Sequence, residues 1–160
     1  MNICIRRAVE EDARPLTAVS QQAFNHDIHY GAPQVGGPPG YDTVNWQLRM
    51  ILTCDYYKIE DEDGRLLGGI IVYPKGYRQM ELGRMFVLPD CQNQGIGAQA
   101  IRFLEETYPE TDRWTLDTPA WNTRNRHFYE KMGYRLTGKT GHGGVWYAKE
   151  LRPAAIRTEG

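Results

Sequence analysis

The 160-residue sequence predicts a mixed α/β fold, with a mostly antiparallel sheet and helices on both of its faces. Two strand-like runs flank an Asp-Gly turn in YYKIEDEDGRLLGGIIVY, and this pattern indicates an antiparallel hairpin. Only one strand–helix–strand unit, downstream of a glycine-rich loop, has the crossover that a parallel pair needs. These observations favour a mixed sheet over a doubly wound parallel sheet.

The first third of the chain predicts one strand, two helices and a long irregular loop. A strand is expected at residues 3–7, followed by a helix in VEEDARPLTAVSQQAF, whose acidic residues fall in its first turn. Residues 25–40 hold four glycines and three prolines, a composition expected to exclude regular structure. Asp42 or Thr43 is expected to cap the next helix, VNWQLRMIL. The residues expected to face the core from this helix are Trp46, Leu48, Met50 and Ile51.

The rest of the chain predicts the hairpin, four further strands and two helices. After the hairpin come a strand in MELGRMFVL, a helix in IGAQAIRFLEETY and a strand in RWTLDTP. A helix in NTRNRHFYEKM ends at Gly133 and precedes two final strands, YRLTG and GVWYAKEL. The order is β-α-α-β-β-β-α-β-α-β-β. We expect one domain over residues 1–152, and a flexible tail at residues 153–160.

Composition excludes several classes of protein. Nineteen basic and 20 acidic residues give a net charge of −1, so no basic surface is expected to attract nucleic acid or a membrane. No long apolar run and no signal-peptide core are apparent, which favours a cytoplasmic protein. Three scattered cysteines are typical of reduced thiols, and His26 and His29 alone do not make a metal site. No metal is therefore expected.

The stretch QGIGAQA, residues 94–100, is the first candidate binding motif. Gly95, Gly97 and Ala100 fit the dinucleotide fingerprint G-x-G-x-x-G/A, and Asp117 lies near the place of its acidic ribose ligand. That fingerprint needs its first glycine directly after a strand within βαβ units, whereas six residues separate this one from the strand. Glycines at a helix start still favour an anion. From the motif alone, a phosphate site and a simple turn are equally good interpretations.

A resemblance to a known family is carried by two longer motifs. VLPDCQNQGIGAQAIRFLEE resembles the R/Q-x-x-G-x-G/A motif of the GNAT superfamily of acetyl-CoA-dependent N-acyltransferases, with Gln92, Gly95 and Gly97 in its slots. NTRNRHFYEKMGY resembles a second element of that family, in which Asn122 and Tyr129 match. Asn125 departs from the small residue that is common there. The resemblance covers residues 56–137 and implies the GNAT fold.

The resemblance implies a site for acetyl-CoA. The CoA pyrophosphate would lie on the amides of the loop, and pantetheine would pair with the main chain of the preceding strand. This requires the sheet to splay between that strand and RWTLDTP, and Gly83 is compatible with a bulge or a close approach there. The implied cofactor-binding residues are Phe86, Val87, Gln92, Asn93, Gln94, Gly95, Ile96, Gly97, Ala98, Asn122, Asn125 and Tyr129.

The implied reaction is transfer of an acetyl group to an amine by direct attack in a ternary complex. Tyr129 holds the position of the general acid, although a core aromatic is the alternative interpretation. Glu81, 14 residues before Gly95, is the candidate base, and an exposed strand carboxylate is its alternative. Met85 N–H is the candidate oxyanion donor. Asn122 is also a candidate helix N-cap.

The acceptor is the open part of this hypothesis. Members of the family hold the acceptor partly with a loop at the place of Asn25–Asp42, whose polar and aromatic residues here are His26, Asp27, His29, Tyr30 and Tyr41. The amine is a small molecule or a peptide, and the sequence does not decide between them. A CoA-binding sensor without turnover and a nucleotide-dependent oxidoreductase are the alternative functions. A homodimer is possible if the final strand pairs across subunits.

Overall fold

The computed structural model describes residues 1–151, so the expected tail at 153–160 lies outside the described residues. The order of helices and strands confirms the predicted one. The strands are β1 (Ile3–Arg7), β2 (Asp55–Asp61), β3 (Leu66–Gly76), β4 (Gln79–Val87), β5 (Arg113–Pro119), β6 (Arg135–Lys139) and β7 (Gly144–Glu150). The α-helices are α1 (Ala13–Asn25), α2 (Val44–Thr53), α3 (Ile96–Thr107) and α4 (Thr123–Lys131).

The seven strands form one sheet in the order β1-β2-β3-β4-β5-β7-β6. Only β4 and β5 are parallel, and the other neighbours are antiparallel. This confirms the mixed, mostly antiparallel sheet. The final strand β7 is hydrogen-bonded on both sides, by β5 and by β6. Among residues 1–151 the edge strands are β1 and β6, so β7 offers no free edge for pairing across subunits, and the homodimer itself stays a prediction.

Helices cover both faces of the sheet. Tyr56 and Tyr57 are consecutive on β2, so their side chains point to opposite faces. The Tyr56 hydroxyl donates to Gln47 of α2, whereas the Tyr57 ring packs edge-on against Phe103 of α3, with ring centroids 5.1 Å apart. Helices α1 and α2 therefore share one face, and α3 lies on the other. Within residues 1–151, none of the helices is both long and apolar enough to cross a membrane.

The parallel pair at the centre of the sheet comes apart after three residues. Of the described residues on these strands, only Gln79–Glu81 and Arg113–Thr115 pair across β4 and β5. Beyond Glu81 the two strands diverge, and a gap opens between the end of β4 and the end of β5. The splay expected between these strands is present. It leaves one side of the β4 main chain without a strand neighbour.

A β-bulge at Gly83 adjusts β4 just as the gap begins. The register against β3 shifts by one residue there, so Gly83 is the extra residue on β4. A Cβ at this position would lie 2.5 Å from the Tyr73 ring, which confirms the close approach expected at this glycine. Because side chains alternate along a strand, the extra residue brings Arg84 onto the face that carries Glu81.

Two local expectations need correction. The segment expected to lack regular structure begins with a 3-10 helix at His26–Tyr30, because its glycines and prolines start only at Gly31. Gly31 ends that helix with a left-handed φ of 103°. Helix α2 buries Gln47 as well as Ile51. Burial of the Gln47 side chain is tolerated because its oxygen accepts a hydrogen bond from the Tyr56 hydroxyl. The other expected core residues of α2, Trp46, Leu48 and Met50, are only partly buried.

Candidate active site

Two cavities meet where β4 and β5 separate. The smaller, of about 450 Å³, lies between β4, the glycine-rich loop, α1 and α4, and we call it the glycine-loop cavity. The larger, of about 810 Å³, lies between β4, β5, β7 and residues 32–39. It contains Glu81 and Asp117, and we call it the carboxylate cavity. The two spaces adjoin at the residues that line both cavities, which are Phe24, Asp27, Met85, Asn125 and Tyr129.

Most of the residues expected to bind a cofactor line the glycine-loop cavity. They are Phe86, Val87, Gln92, Asn93, Gly95, Ile96, Gly97, Ala98, Asn125 and Tyr129, and the expected oxyanion donor Met85 lines the same cavity. Two of the expected residues lie elsewhere. The Gln94 side chain turns back to donate to the Asp90 carbonyl at 3.2 Å, and Asn122 faces the carboxylate cavity. Ala100 of the dinucleotide fingerprint is fully buried inside α3.

The conformation and packing of the loop explain why residues 95 and 97 are both glycine. Gly95 precedes α3 with a left-handed φ of 80°, a conformation that favours glycine and directs the chain into the helix. A Cβ at Gly97 would lie 2.8 Å from the Phe128 ring of α4. The loop thus brings the N-terminus of the twelve-residue helix α3 to the cavity wall, where its free N–H groups and dipole favour an anion.

The β4 main chain offers hydrogen-bonding groups to the gap. Leu88 N–H donates to β3 at 2.7 Å, and the N–H groups of an antiparallel strand alternate in direction. By this alternation Phe86 also bonds to β3, whereas Met85 and Val87 turn their N–H and C=O groups toward the gap. The Gln92 side-chain amide donates to the Val87 carbonyl at 3.1 Å, as this direction requires. Phe86 lines the cavity with its ring.

Tyr129 stands at the junction of the cavities and is almost fully buried. Asn122 caps α4, since its side-chain oxygen accepts the Asn125 N–H at 3.0 Å, and this fixes the turn that carries Tyr129. Burial raises the pKa of the Tyr129 hydroxyl well above its ordinary value. The phenol therefore stays protonated at neutral pH and can donate a hydrogen bond into either cavity.

Two carboxylates face the carboxylate cavity from neighbouring strands. Glu81 is buried, accepts the Tyr73 hydroxyl at 3.1 Å and lies 3.2 Å from the Lys75 ammonium. Asp117 on β5 lines the same space. Burial raises the pKa of Asp117, the negative charge of Glu81 raises it further, and Arg84 opposes the rise. The cavity is thus suited to hold an amine and to receive its proton.

Arg124 links the two cavities, and sequence reasoning did not identify it. Its guanidinium donates to the Gln92 side chain at 2.7 Å and to the Asp27 carboxylate at 3.0 Å. It also stacks on the Tyr30 ring at 3.8 Å from the centroid. Gln92 belongs to the glycine-rich loop and Asp27 to the segment expected to hold the acceptor. No motif signals this role, because the partners are brought together only by the fold.

The segment 25–42 forms a wall of the carboxylate cavity, but mostly with residues other than those expected. Among the polar and aromatic candidates only Asp27 lines the cavity. The His26 ring packs against His29 and Tyr30, and the Tyr41 hydroxyl donates to Asn25. The lining comes from Ala32, Pro33, Gln34, Gly36, Gly37, Pro38 and Pro39. Within residues 1–151, no group of three or more His, Cys, Asp or Glu side chains could hold a metal ion.

Comparison with known sequences agrees with this site. The model of the acetyltransferase (GNAT) family matches residues 20–134, which include both cavities' central strands and the glycine-rich loop. S-(2-succino)cysteine N-acetyltransferase of Bacillus subtilis is 30% identical over 164 aligned residues, covering 92% of this chain and 95% of the relative. An uncharacterised protein of the same organism, YrkN, is 34% identical over 138 residues, covering 84% of this chain and 74% of the relative.

Comparison with solved structures supports the same fold. The crystal structure of PaiA N-acetyltransferase from Thermoplasma acidophilum in complex with coenzyme A superimposes with a TM-score of 0.79. The two sequences are 18% identical, and the match covers 94% of this chain and all of that one. The ribosomal-protein-S18-alanine N-acetyltransferase of Escherichia coli gives a TM-score of 0.71 at 16% identity, with 94% of each chain covered. These likenesses show the fold.

Proposed function

The chain belongs to the GNAT family of acetyltransferases and is an acyltransferase, and we propose that it moves the acetyl group of acetyl-CoA to an amine by direct attack in a ternary complex. The observation that carries the proposal is the junction of the two cavities at Met85 and Tyr129. One cavity suits a thioester with its diphosphate, the other suits an amine, and the two adjoin at these residues. The reacting atoms would meet there.

The glycine-loop cavity fits acetyl-CoA through its main chain. The loop amides from Gln92 to Ala98 and the start of α3 would hold the pyrophosphate, because the first N–H groups of a helix are free donors at its positive end. The Gln92 N–H itself already donates to the Pro89 carbonyl. Met85 and Val87 would pair with the pantetheine amides, since their main-chain groups face the gap. Compared with the residues expected from the sequence, Met85 replaces Phe86 in this pairing.

The chemistry needs a base, an oxyanion donor and an acid. The amine nitrogen attacks the thioester carbonyl carbon, and the carbonyl oxygen gains the negative charge that Met85 N–H would stabilise. The amine loses its proton to a carboxylate of the carboxylate cavity, directly or through water. The C–S bond then breaks, and Tyr129 gives its proton to the leaving sulfur and recovers one from solvent. The products are the amide and the free CoA thiol.

Glu81 remains the candidate base, and the surrounding residues define how it would act. Tyr73 and Lys75 hold the carboxylate in one orientation on β4, beside the gap. Asp117 faces the same cavity, so it is a second candidate for the proton or a site for the ammonium form of the acceptor. Substitution of Glu81 and Asp117, one at a time, can decide which carboxylate takes the proton of the amine.

The experiment that tests the function is release of free thiol from acetyl-CoA with a panel of amines. S-(2-succino)cysteine belongs in the panel because a relative is named for it, together with other amino acids, polyamines and peptide N-termini. We expect turnover with at least one amine, an acetylated product by mass spectrometry, and stabilisation of the protein by CoA. Binding of CoA without turnover of any amine would instead indicate a sensor. Stabilisation by NAD(P) and none by CoA would indicate an oxidoreductase.

A further inference from the structure

Arg84 of β4 lines the carboxylate cavity, as does His142 from the loop before β7. The bulge at Gly83 turns Arg84 onto the face of the sheet that carries Glu81, so its position depends on a local irregularity of β4. The guanidinium lies 4.1 Å above the Trp46 ring of α2, which supports one of its planes. An arginine held in this way has little freedom to turn out to solvent.

The Arg84 side chain lines the carboxylate cavity, and among residues 1–151 no hydrogen bond or ion pair engages its guanidinium. Its Nη1 is shielded from solvent and also has no partner there. Burial lowers the pKa of the guanidinium, as it does for a cation removed from water. A partly desolvated charged donor without a partner is costly, so an anionic group in the cavity that pairs with the guanidinium would be stabilising.

The carboxylates of the cavity do not satisfy this arginine. Glu81 is engaged by the Tyr73 hydroxyl and the Lys75 ammonium. Asp117 and Arg84 attract each other but do not form an ion pair. The charge of Arg84 lowers the pKa of Asp117, and the charge of Asp117 raises the pKa of Arg84. The cavity therefore presents one positive fork and two negative groups at separate places.

We propose that the acceptor is a zwitterion, an amine with a carboxylate close to it as in an α-amino acid, and that Arg84 binds the carboxylate. The inference rests on the proposed function, because it names the class of acceptor for that reaction. The planar guanidinium matches a carboxylate with two parallel hydrogen bonds. Glu81 and Asp117 lie on the opposite strands of the gap and take the amino group toward the junction at Tyr129.

The charges of the cavity favour this class over a polyamine. A polycationic acceptor would place a second ammonium against the Arg84 guanidinium, and like charges in a partly buried site repel strongly. An amine without an anionic group would leave the Arg84 guanidinium without a partner and would gain nothing from it. Only an acceptor with an anionic group satisfies Arg84, Glu81 and Asp117 together.

The test uses matched pairs of amines that differ by the carboxylate alone. L-methionine is compared with 3-(methylsulfanyl)propan-1-amine, and L-phenylalanine with 2-phenylethylamine, and spermidine serves as the polycation. One arm measures kcat/KM by thiol release from acetyl-CoA. The other arm measures the thermal stabilisation of CoA-saturated protein by each amine, which needs no turnover. We expect the amino acids to exceed their decarboxylated partners in both arms.

Substitution of Arg84 ties the preference to this side chain. In Arg84→Gln we expect kcat/KM for the amino acid to fall about 10- to 100-fold, and for the decarboxylated amine less than about threefold. Arg84→Lys keeps the charge but loses the fork, so it is expected to recover part of the preference. Arg102→Gln, at an exposed position on α3, is the matched control and should change neither arm. CoA affinity and unfolding temperature without acceptor show whether each variant is folded.

The two arms separate this inference from the proposed function. Selective stabilisation by the amino acids without turnover of any amine would support the carboxylate site and overturn the transferase proposal. Turnover that is equal for both members of each pair would support the transferase and overturn the inference. The inference would also be overturned if spermidine were the best acceptor, or if neither amino acid stabilised the protein. An Arg84→Gln variant that keeps the preference for amino acids over their decarboxylated partners would overturn it as well.

Discussion

The two cavities are built from different parts of the chain, although they share Met85 and Tyr129. The glycine-loop cavity takes its hydrogen-bonding groups largely from the main chain: loop amides, the start of α3 and the unpaired edge of β4. The carboxylate cavity is made by side chains from β3, β4 and β5 and by the segment at residues 32–39. The first depends on backbone conformation, whereas the second depends on the identity of individual residues.

This difference determines how each cavity responds to substitution. A binding site of N–H groups keeps its donors when side chains change, so only changes in conformation, as at Gly95, are expected to weaken it strongly. A site of side chains loses a donor or a charge with each substitution. We therefore expect single substitutions to divide into effects on acetyl-CoA binding, effects on the acceptor and, at the junction, effects on the chemical step.

The largest effect is expected at the junction, with Tyr129→Phe. Loss of the phenolic proton should lower kcat about 100- to 10,000-fold, while acetyl-CoA affinity stays the same because the ring remains. Steady-state thiol release and a CoA titration measure the two quantities. Tyr134→Phe is the control, since Tyr134 is also buried and packs against the Tyr129 ring but lines neither cavity. A kcat unchanged by Tyr129→Phe would remove this residue from the mechanism.

A smaller effect is expected in the carboxylate cavity, with Glu81→Gln. If Glu81 takes the proton of the amine, the glutamine variant lacks the base, and its kcat should be about 10- to 100-fold lower, with little change in CoA binding. Asp117→Asn in the same cavity is the matched comparison and should lower kcat less than about threefold. Thiol release at saturating acceptor measures both variants. The reverse order of effects would assign the base to Asp117.

The fold and the glycine-loop cavity could be predicted because they follow from local rules. The Asp-Gly turn fixes the hairpin of β2 and β3, and Gly95 needs a backbone conformation that few other residues adopt. Such requirements leave a pattern of residue types at fixed spacing. The splay of β4 from β5 was predictable only through the family resemblance, since no single residue signals where two strands separate.

The carboxylate cavity could not be predicted in the same way. The bulge at Gly83 decides which face Arg84 occupies, and the sequence shows the glycine but not the register. The partners of Arg124 lie 32 and 97 residues away along the chain, so no local pattern marks them. Expected loop residues such as His29 and Tyr41 pack outside the cavity instead. Side-chain sites arise from tertiary contacts, which composition and spacing do not contain.

An intermediate effect on both cavities is expected for Arg124→Ala. The variant loses the contacts to Gln92 and Asp27 at once, so the dissociation constant of CoA and the KM of the acceptor should each rise about tenfold. Gln92→Ala should affect only CoA, because Gln92 lines the glycine-loop cavity alone, whereas Asp27→Asn, at a residue that lines both cavities, should affect both ligands. Isothermal titration with CoA and steady-state kinetics measure the two sides. An Arg124→Ala variant altered on one side alone would show that the cavities are independent.

The smallest effect is a gain in stability from Asp117→Asn. Burial raises the pKa of Asp117 in the folded protein, as does the charge of Glu81, so ionisation costs more in the folded than in the unfolded chain. The free energy of unfolding of the wild-type protein therefore falls as the pH rises through the folded pKa of Asp117. The asparagine variant cannot ionise, so it does not show this fall. Asp117 is exposed, so solvent screens much of this cost, and the variant should unfold at most about 1 °C higher at neutral pH, with the difference vanishing below about pH 3.

Asp63→Asn, on the exposed β2–β3 turn, is the matched control for this measurement and should show no difference that grows with pH. Thermal unfolding followed by circular dichroism between pH 3 and pH 8 gives both curves. A difference for Asp117→Asn that is constant with pH would mean that the charge is not its cause. A growing difference would show that the carboxylate cavity keeps two like charges together at a cost in stability, as functional sites often do.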